Sequence, residues 1–128
     1  MRRVLAIVLI SVVLAGCGNA TAAEPDSRNP VHCAAALNMA AVWNESDIPS
    51  AHPDWAPQFR AHALYEIEKI RESGLSDKEA KAKEVAFTKD YWKDDRMAAL
   101  AVECVRHNAQ DPRFRAERRR LMASVSKP

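Results

Sequence analysis

The stretch Asn29-Pro30-Val31-His32-Cys33-Ala34-Ala35-Ala36-Leu37-Asn38-Met39-Ala40-Ala41 decides the fold class. Asn29 offers a side-chain oxygen to the free amides of a first helical turn, and Pro30 follows at a position where its missing N–H costs nothing. Cys33, Ala36, Leu37, Ala40 and Ala41 then recur at helical spacing. This predicts a helix that ends near Asn44-Glu45-Ser46, ahead of a loop over 47–54 punctuated by Pro49 and Pro53.

The same signals repeat downstream. A second helix is expected from about Asp54 to Ser73, with Phe59, Ala63, Ile67 and Ile70 on one face and Leu64 widening it; Pro57 is tolerable in a first turn, and Gly74 suits the residue after a helix end. Ser76-Asp77-Lys78-Glu79 is a capping box opening a third helix, which carries Ala82, Val85, Ala86, Phe87, Tyr91 and Trp92. A fourth segment holds Met97, Leu100, Ala101, Cys104 and Val105. The third and fourth read either as one long helix or as two. A bundle requires the chain to turn back, which places a break near Lys93-Asp94-Asp95. Asp111-Pro112 ends one helix and starts a short basic one through about Met122. No segment alternates strictly enough for a strand. The expectation is an all-α, small four-helix bundle-like domain over 30–128, with a basic C-terminal helix or tail docked through Phe114, Leu121 and Met122.

The N-terminus is of another kind. Arg2 and Arg3 precede an apolar run from Val4 to Ala15 that only Ser11 interrupts, the pattern of an export signal and too short for a comfortable membrane-spanning helix. Leu14-Ala15-Gly16-Cys17 follows, and it resembles the lipobox of bacterial lipoproteins. The resemblance covers residues 1–17 and implies cleavage between Gly16 and Cys17, with an acylated lipid on the Cys17 thiol. Gly18, rather than Asp, follows the cysteine, which within that family favours the outer membrane. The other reading is cleavage after Ala22, at the small-residue site Ala20-Thr21-Ala22, and release into the periplasm. Residues 17–29 carry few large apolar groups and read as a flexible tether spanning at most roughly 40 Å.

Removing the leader changes the charge balance. The full chain has 19 Lys+Arg and 17 Asp+Glu. Without Arg2 and Arg3 the two counts are equal at 17, and the mature chain is formally neutral. The charge is divided, however. Residues 113–128 hold six cations (Arg113, Arg115, Arg118, Arg119, Arg120 and Lys127) against Glu117, a surplus of five. Arg115, Arg118 and Arg119 stand at near-helical spacing and are candidates for contact with an anionic surface, together with Arg113 and Arg120; the alternative is a solvated helix balanced against the acidic body. Export argues against a nucleic-acid partner. The partners expected are the membrane, through the lipid, and an envelope protein.

Three cysteines are present, and either cleavage leaves Cys33 and Cys104 as a pair, in keeping with an oxidising compartment. Both lie on apolar stripes. A bridge between them would close a loop of about 70 residues and contribute roughly 4–4.5 kcal/mol on chain-entropy grounds.

Motifs for chemistry are sparse. His62 and Glu66 share a helix face, as do Cys104 and His107, and with His32 and Cys33 they are the material for an imagined zinc site. No Cys-x-x-Cys or His-Glu-x-x-His supports one, and Cys104-x-x-His107 lacks the second cysteine of haem attachment. Metal and cofactor are therefore both expected to be none. Asp90 and Asp94 share a face beside Asp95 and suit either cation binding or helix capping. The three glycines, at 16, 18 and 74, form no phosphate loop, and no Gly-x-Ser-x-Gly occurs. Trp43, Trp55 and Trp92 suit either an aromatic groove or packing at helix ends. The mature body broadly resembles small Cys-pair helical proteins of bacterial envelopes. The functional expectation is a non-enzymatic binding or scaffolding module. The alternatives are an inhibitor or immunity-type protein against an envelope hydrolase or toxin, and a small metal-binding protein or enzyme.

Overall fold

The computed structural model describes residues 24–126. Gly16 and Cys17, with the rest of the leader and the start of the tether, lie outside the described residues. Five α-helices follow one another: α1 Pro30–Asn44, α2 Ala56–Glu72, α3 Asp77–Asp90, α4 Asp95–Gln110 and α5 Pro112–Val125. Among the described residues there is no strand, and no helix is long and apolar enough to cross a membrane.

The caps fall where the side-chain chemistry puts them. Asn29 accepts from the amides of Val31 (2.9 Å) and His32 (3.4 Å). Ser76 accepts from Glu79 N at 3.1 Å, and Gly74 takes the left-handed φ of +89° that a chain reversal after α2 requires. The break between α3 and α4 sits at Lys93, whose φ of 64° is also left-handed; Asp94 then caps α4 by accepting from Arg96 N. Asp111 ends α4 and caps α5 through Arg113 N.

Two boundaries differ from expectation: α5 runs past Met122 to Val125, and the start of α2 is displaced. Pro53–Trp55 forms a 3₁₀ turn, and α2 begins only at Ala56. Ala56 N–H bonds back to Pro53 O, and Pro57 has no N–H to give that carbonyl an α-helical partner.

The helix α1 is apolar on nearly every side, and it is the centre of the fold. Its buried residues run from His32 to Leu37 and include Ala41, and α2, α3 and α4 all pack against it. The main core joins Cys33, Ala35, Ala36, Leu37, Ala63, Phe87, Tyr91, Met97, Leu100, Ala101 and Cys104. Cys33 and Cys104 are bonded across it, with Cα atoms 5.7 Å apart. A second, smaller core of Ala61, Tyr65, Phe114 and Leu121 lies where α5 docks on α2. The basic helix is thus a full packing element, not an appended tail.

Of the apolar residues carried by α3 and the turn after it, only Phe87 and Tyr91 are buried; Ala82, Val85, Ala86 and Trp92 are exposed. The reason is that α3 packs chiefly on α1, which covers only part of its apolar surface. The tether, expected over 17–29, is held from Glu24 onward. Glu24 lies 3.4 Å from Arg96, Asp26 N donates to His32 Nδ1 at 3.1 Å, and Ser27 O faces His107 Nδ1 at 3.4 Å.

Candidate binding surface

The three tryptophans stand in solvent: Trp43 is 58% exposed, Trp55 46% and Trp92 61%. Val42, Val85 and Val102 are the other large hydrophobics left exposed among the described residues. All six line two adjoining clefts. The first, about 860 Å³, opens between α1 and α3 and is walled by Met39, Val42, Trp43, Ile48, Val85 and Trp92. The second, about 630 Å³, lies between α1, α2 and the start of α4, with Ala40, Trp43, Trp55, Phe59, Met97 and Val102. Trp43 and Met39 belong to both and form the ridge between them. Single exposed apolar residues are ordinary, but a gathering of all the large ones on one face is a mark of a contact surface.

The face follows from the sequence of α1. Its last turns carry Val42 and Trp43, which lie off the stripe of Cys33, Leu37 and Ala41 and stay exposed, beside Met39, which is partly buried against the core. His52 stacks on Trp55, ring centroids 3.9 Å apart, and Asn44 fixes the loop by accepting from His52 N at 2.9 Å while donating to Ala40 O at 2.8 Å. Arg60 and Glu45 pair at 2.5 Å and tie the loop to α2. The rim is polar: Lys81, Glu84 and Lys89 beside the first cleft, and Lys93, Asp94 and Asp95 beside the second. Glu84 accepts from Asn38 Nδ2 at 2.9 Å, and Asp94 pairs with Arg96 at 2.9 Å, which holds the Asp94 carboxyl below its ordinary range. Asp94 therefore takes the capping role rather than facing Asp90 across a cation.

The arginines of α5 separate into two groups. Arg113 pairs with Glu72 and with Glu117 (3.5 Å), and Arg120 pairs with Glu68 and Glu117, both at 2.9 Å. These contacts hold Glu72 below the usual carboxylate range. Arg115, Arg118 and Arg119 make no ion pair among the described residues and are exposed. The three arginines at near-helical spacing are thus the ones without an ion pair, while Arg113 and Arg120 are exposed but paired.

The histidines do not converge on a metal. Cys33 and Cys104 are bonded to one another, so neither offers a thiolate, and no group of three or more His, Cys, Asp or Glu placed to hold an ion occurs among the described residues. His32 stacks on Phe87 at 4.0 Å, and burial lowers its pKa, opposed by Asp26.

His62 and Glu66 do share a face, but it is turned inward. His62 stacks on Phe114 at 4.2 Å and meets the Asn108 amide 3.2 Å from Nδ1; burial, and then the Arg118 charge, lower its pKa to about 4. Glu66 is 1% exposed. Burial raises its carboxyl above the ordinary value, against Lys69, whose Nζ lies 2.9 Å from Oε2. Beside them Tyr65 donates to Asp111 at 2.5 Å beneath the ammonium of Lys69. This polar seam was not legible as such in the sequence. Its one local signal was a charged residue, Glu66, one position ahead of the apolar stripe of α2.

No family model, curated protein or solved structure matches the chain.

Proposed function

We propose that the protein is a lipid-anchored component of the bacterial envelope, held through Cys17, that works without catalysis as a binding or scaffolding module. The observation that carries the binding role is the collection of every exposed large hydrophobic of the described residues around two clefts. The leader and the Leu14-Ala15-Gly16-Cys17 box support the anchor, and a cystine between Cys33 and Cys104 suits an oxidising compartment. Arg115, Arg118 and Arg119 offer a separate, electrostatic contact for anionic groups.

Fractionation of cells tests the placement. Wild-type protein is expected in the membrane fraction with a mass lacking residues 1–16 and carrying acyl chains, and Cys17→Ala is expected in the soluble fraction or as uncleaved precursor. Membrane retention of Cys17→Ala at the unlipidated mature mass would refute the anchor. A substituted face tests the binding role. Val42→Asp with Val85→Asp changes two solvent-exposed positions and is expected to preserve the fold while abolishing whatever association the wild type shows.

A further inference from the structure

We propose that the tryptophan face docks on the bilayer itself, so that the domain lies against the membrane that holds its anchor instead of standing clear of it. The inference rests on the anchored reading above and names the ligand of the same surface. Three observations carry it.

The first is where the described chain begins. Glu24 lies 3.4 Å from Arg96, and Arg96 in turn binds Asp94, which lines the second cleft. Trp92 and Lys93 belong to the same turn between α3 and α4. The chain therefore leaves the domain beside the clefts. Between Glu24 and the acylated Cys17 it can span no more than roughly 25 Å. A domain held on so short a lead from this point presents this region, rather than a distant one, to the headgroups.

The second is composition. Tryptophan is the side chain enriched at membrane interfaces, where its ring meets acyl chain and its N–H meets water, and long lysines bury their stems while their ammonium groups reach the phosphates. Trp43, Trp55 and Trp92 rise around clefts rimmed by Lys81, Lys89 and Lys93. Of the acids on those rims, Asp94 is paired with Arg96 and Glu84 lies 4.0 Å from Lys81, which leaves Asp95 beside Lys89 and Lys93.

The third is shape. The exposed hydrophobics stand on two clefts separated by the Met39–Trp43 ridge, and Val85 of α3 and Trp92 of the turn after it are exposed on the far side of the first. Such a surface suits insertion of several side chains to the depth of the headgroups, as an interfacial apolar face does.

Intrinsic fluorescence reads this face alone, because the chain has three tryptophans and all three lie on it. The lipidated protein would be reconstituted into phosphatidylethanolamine and phosphatidylglycerol vesicles, with and without bromine on the acyl chains, and floated to select what is vesicle-bound. Docking predicts a blue-shifted emission and quenching by about twofold or more in the brominated vesicles. The Val42→Asp and Val85→Asp variant is predicted to float equally and to emit as in water. Protein that floats with solvent-like, unquenched emission would overturn the docking and leave the anchor intact. A blue shift without quenching, accompanied by a dimer in sedimentation, would assign the face to a second copy of the chain and overturn the docking. Equal quenching of the variant would show that the clefts are not what engages lipid. Failure to float would remove anchor and docking together.

Discussion

The two cores of this small bundle are built by opposite means. Around α1 and α4 the contacts are apolar side chains closed by a covalent bond between Cys33 and Cys104. Between α2 and α5 a small apolar patch is ringed by His62, Glu66, Asn108 and the Tyr65–Asp111 bond, with Arg113 and Arg120 paired to Glu72 and Glu68 outside it. The first arrangement is the less sensitive to pH and salt, because its contacts are mainly apolar and covalent, with His32 stacked on Phe87 as the histidine packed against it. The second depends on protonation and on screened charge. The exposed apolar face stands mainly on α1, α3 and α4, with Trp55 of the 3₁₀ turn and Phe59 of α2 completing the second cleft, so the surface rests mainly on the less sensitive half.

The largest effect expected is from the cystine. It closes a separation of 71 residues, and its removal by Cys33→Ala with Cys104→Ala should cost about 4 kcal/mol in denaturant unfolding. Thiol titration of the unreduced mature protein should find neither cysteine free; two reactive thiols would remove the covalent half of the contrast. Next is Phe114→Ala, which empties the centre of the smaller core and should cost about 3 kcal/mol. Hydrogen exchange should then show α5 opening while α1 and α4 keep their protection. Equal loss of protection in all helices would mean that the two cores form one cooperative unit.

The pH response should separate the halves further. His62 has a folded pKa of about 4 against 6.5 when unfolded, so the folded chain holds fewer protons in that window. Its contribution is present above 6.5 and is lost as pH falls toward 4. Glu66 acts in the opposite sense: burial raises its carboxyl, so its contribution weakens as pH rises above the ordinary 4.5. The two partly cancel in wild type. The stability of wild type relative to His62→Gln should therefore grow with pH between 4 and 6.5, by on the order of 1–2 kcal/mol after allowance for partial solvent access, and then level off. A difference independent of pH would show that His62 does not titrate between the two states.

The helices and their limits were legible because they rest on local chemistry: Asn29, Ser76, Asp94 and Asp111 each cap a helix from within a few residues of sequence. The cystine was legible too, since two cysteines on apolar stripes left few partners. What the sequence did not show was which apolar residues would stay uncovered. Val85 and Trp92, on α3 and in the turn after it, carry the same kind of apolar signal as Phe87 and Tyr91, and only the crossing of α3 over α1 decides which pair is buried. The polar seam was hidden for the converse reason. His62 and Glu66 look like surface residues until α4 and α5 close over them, and their burial depends on Asn108 and Phe114, which lie more than forty residues away.

The smallest stability effect, and the most discriminating for the basic helix, comes from its arginines. Arg113 and Arg120 are engaged with the acidic side of α2, so Arg113→Gln with Arg120→Gln should lower the thermal midpoint slightly, with the loss shrinking as salt is added. Arg115, Arg118 and Arg119 hold no such pair, and neutralising all three should leave the midpoint unmoved while weakening salt-dependent binding to anionic vesicles or polymers. The one reservation built into the structure concerns Arg118, whose charge helps keep His62 neutral; its loss should raise the His62 pKa and soften the acid response described above. If instead the pair is silent as well, the seam between α2 and α5 is held by its buried groups alone, and the acidic face of α2 opposite Arg113 and Arg120 does no more than keep the surface soluble.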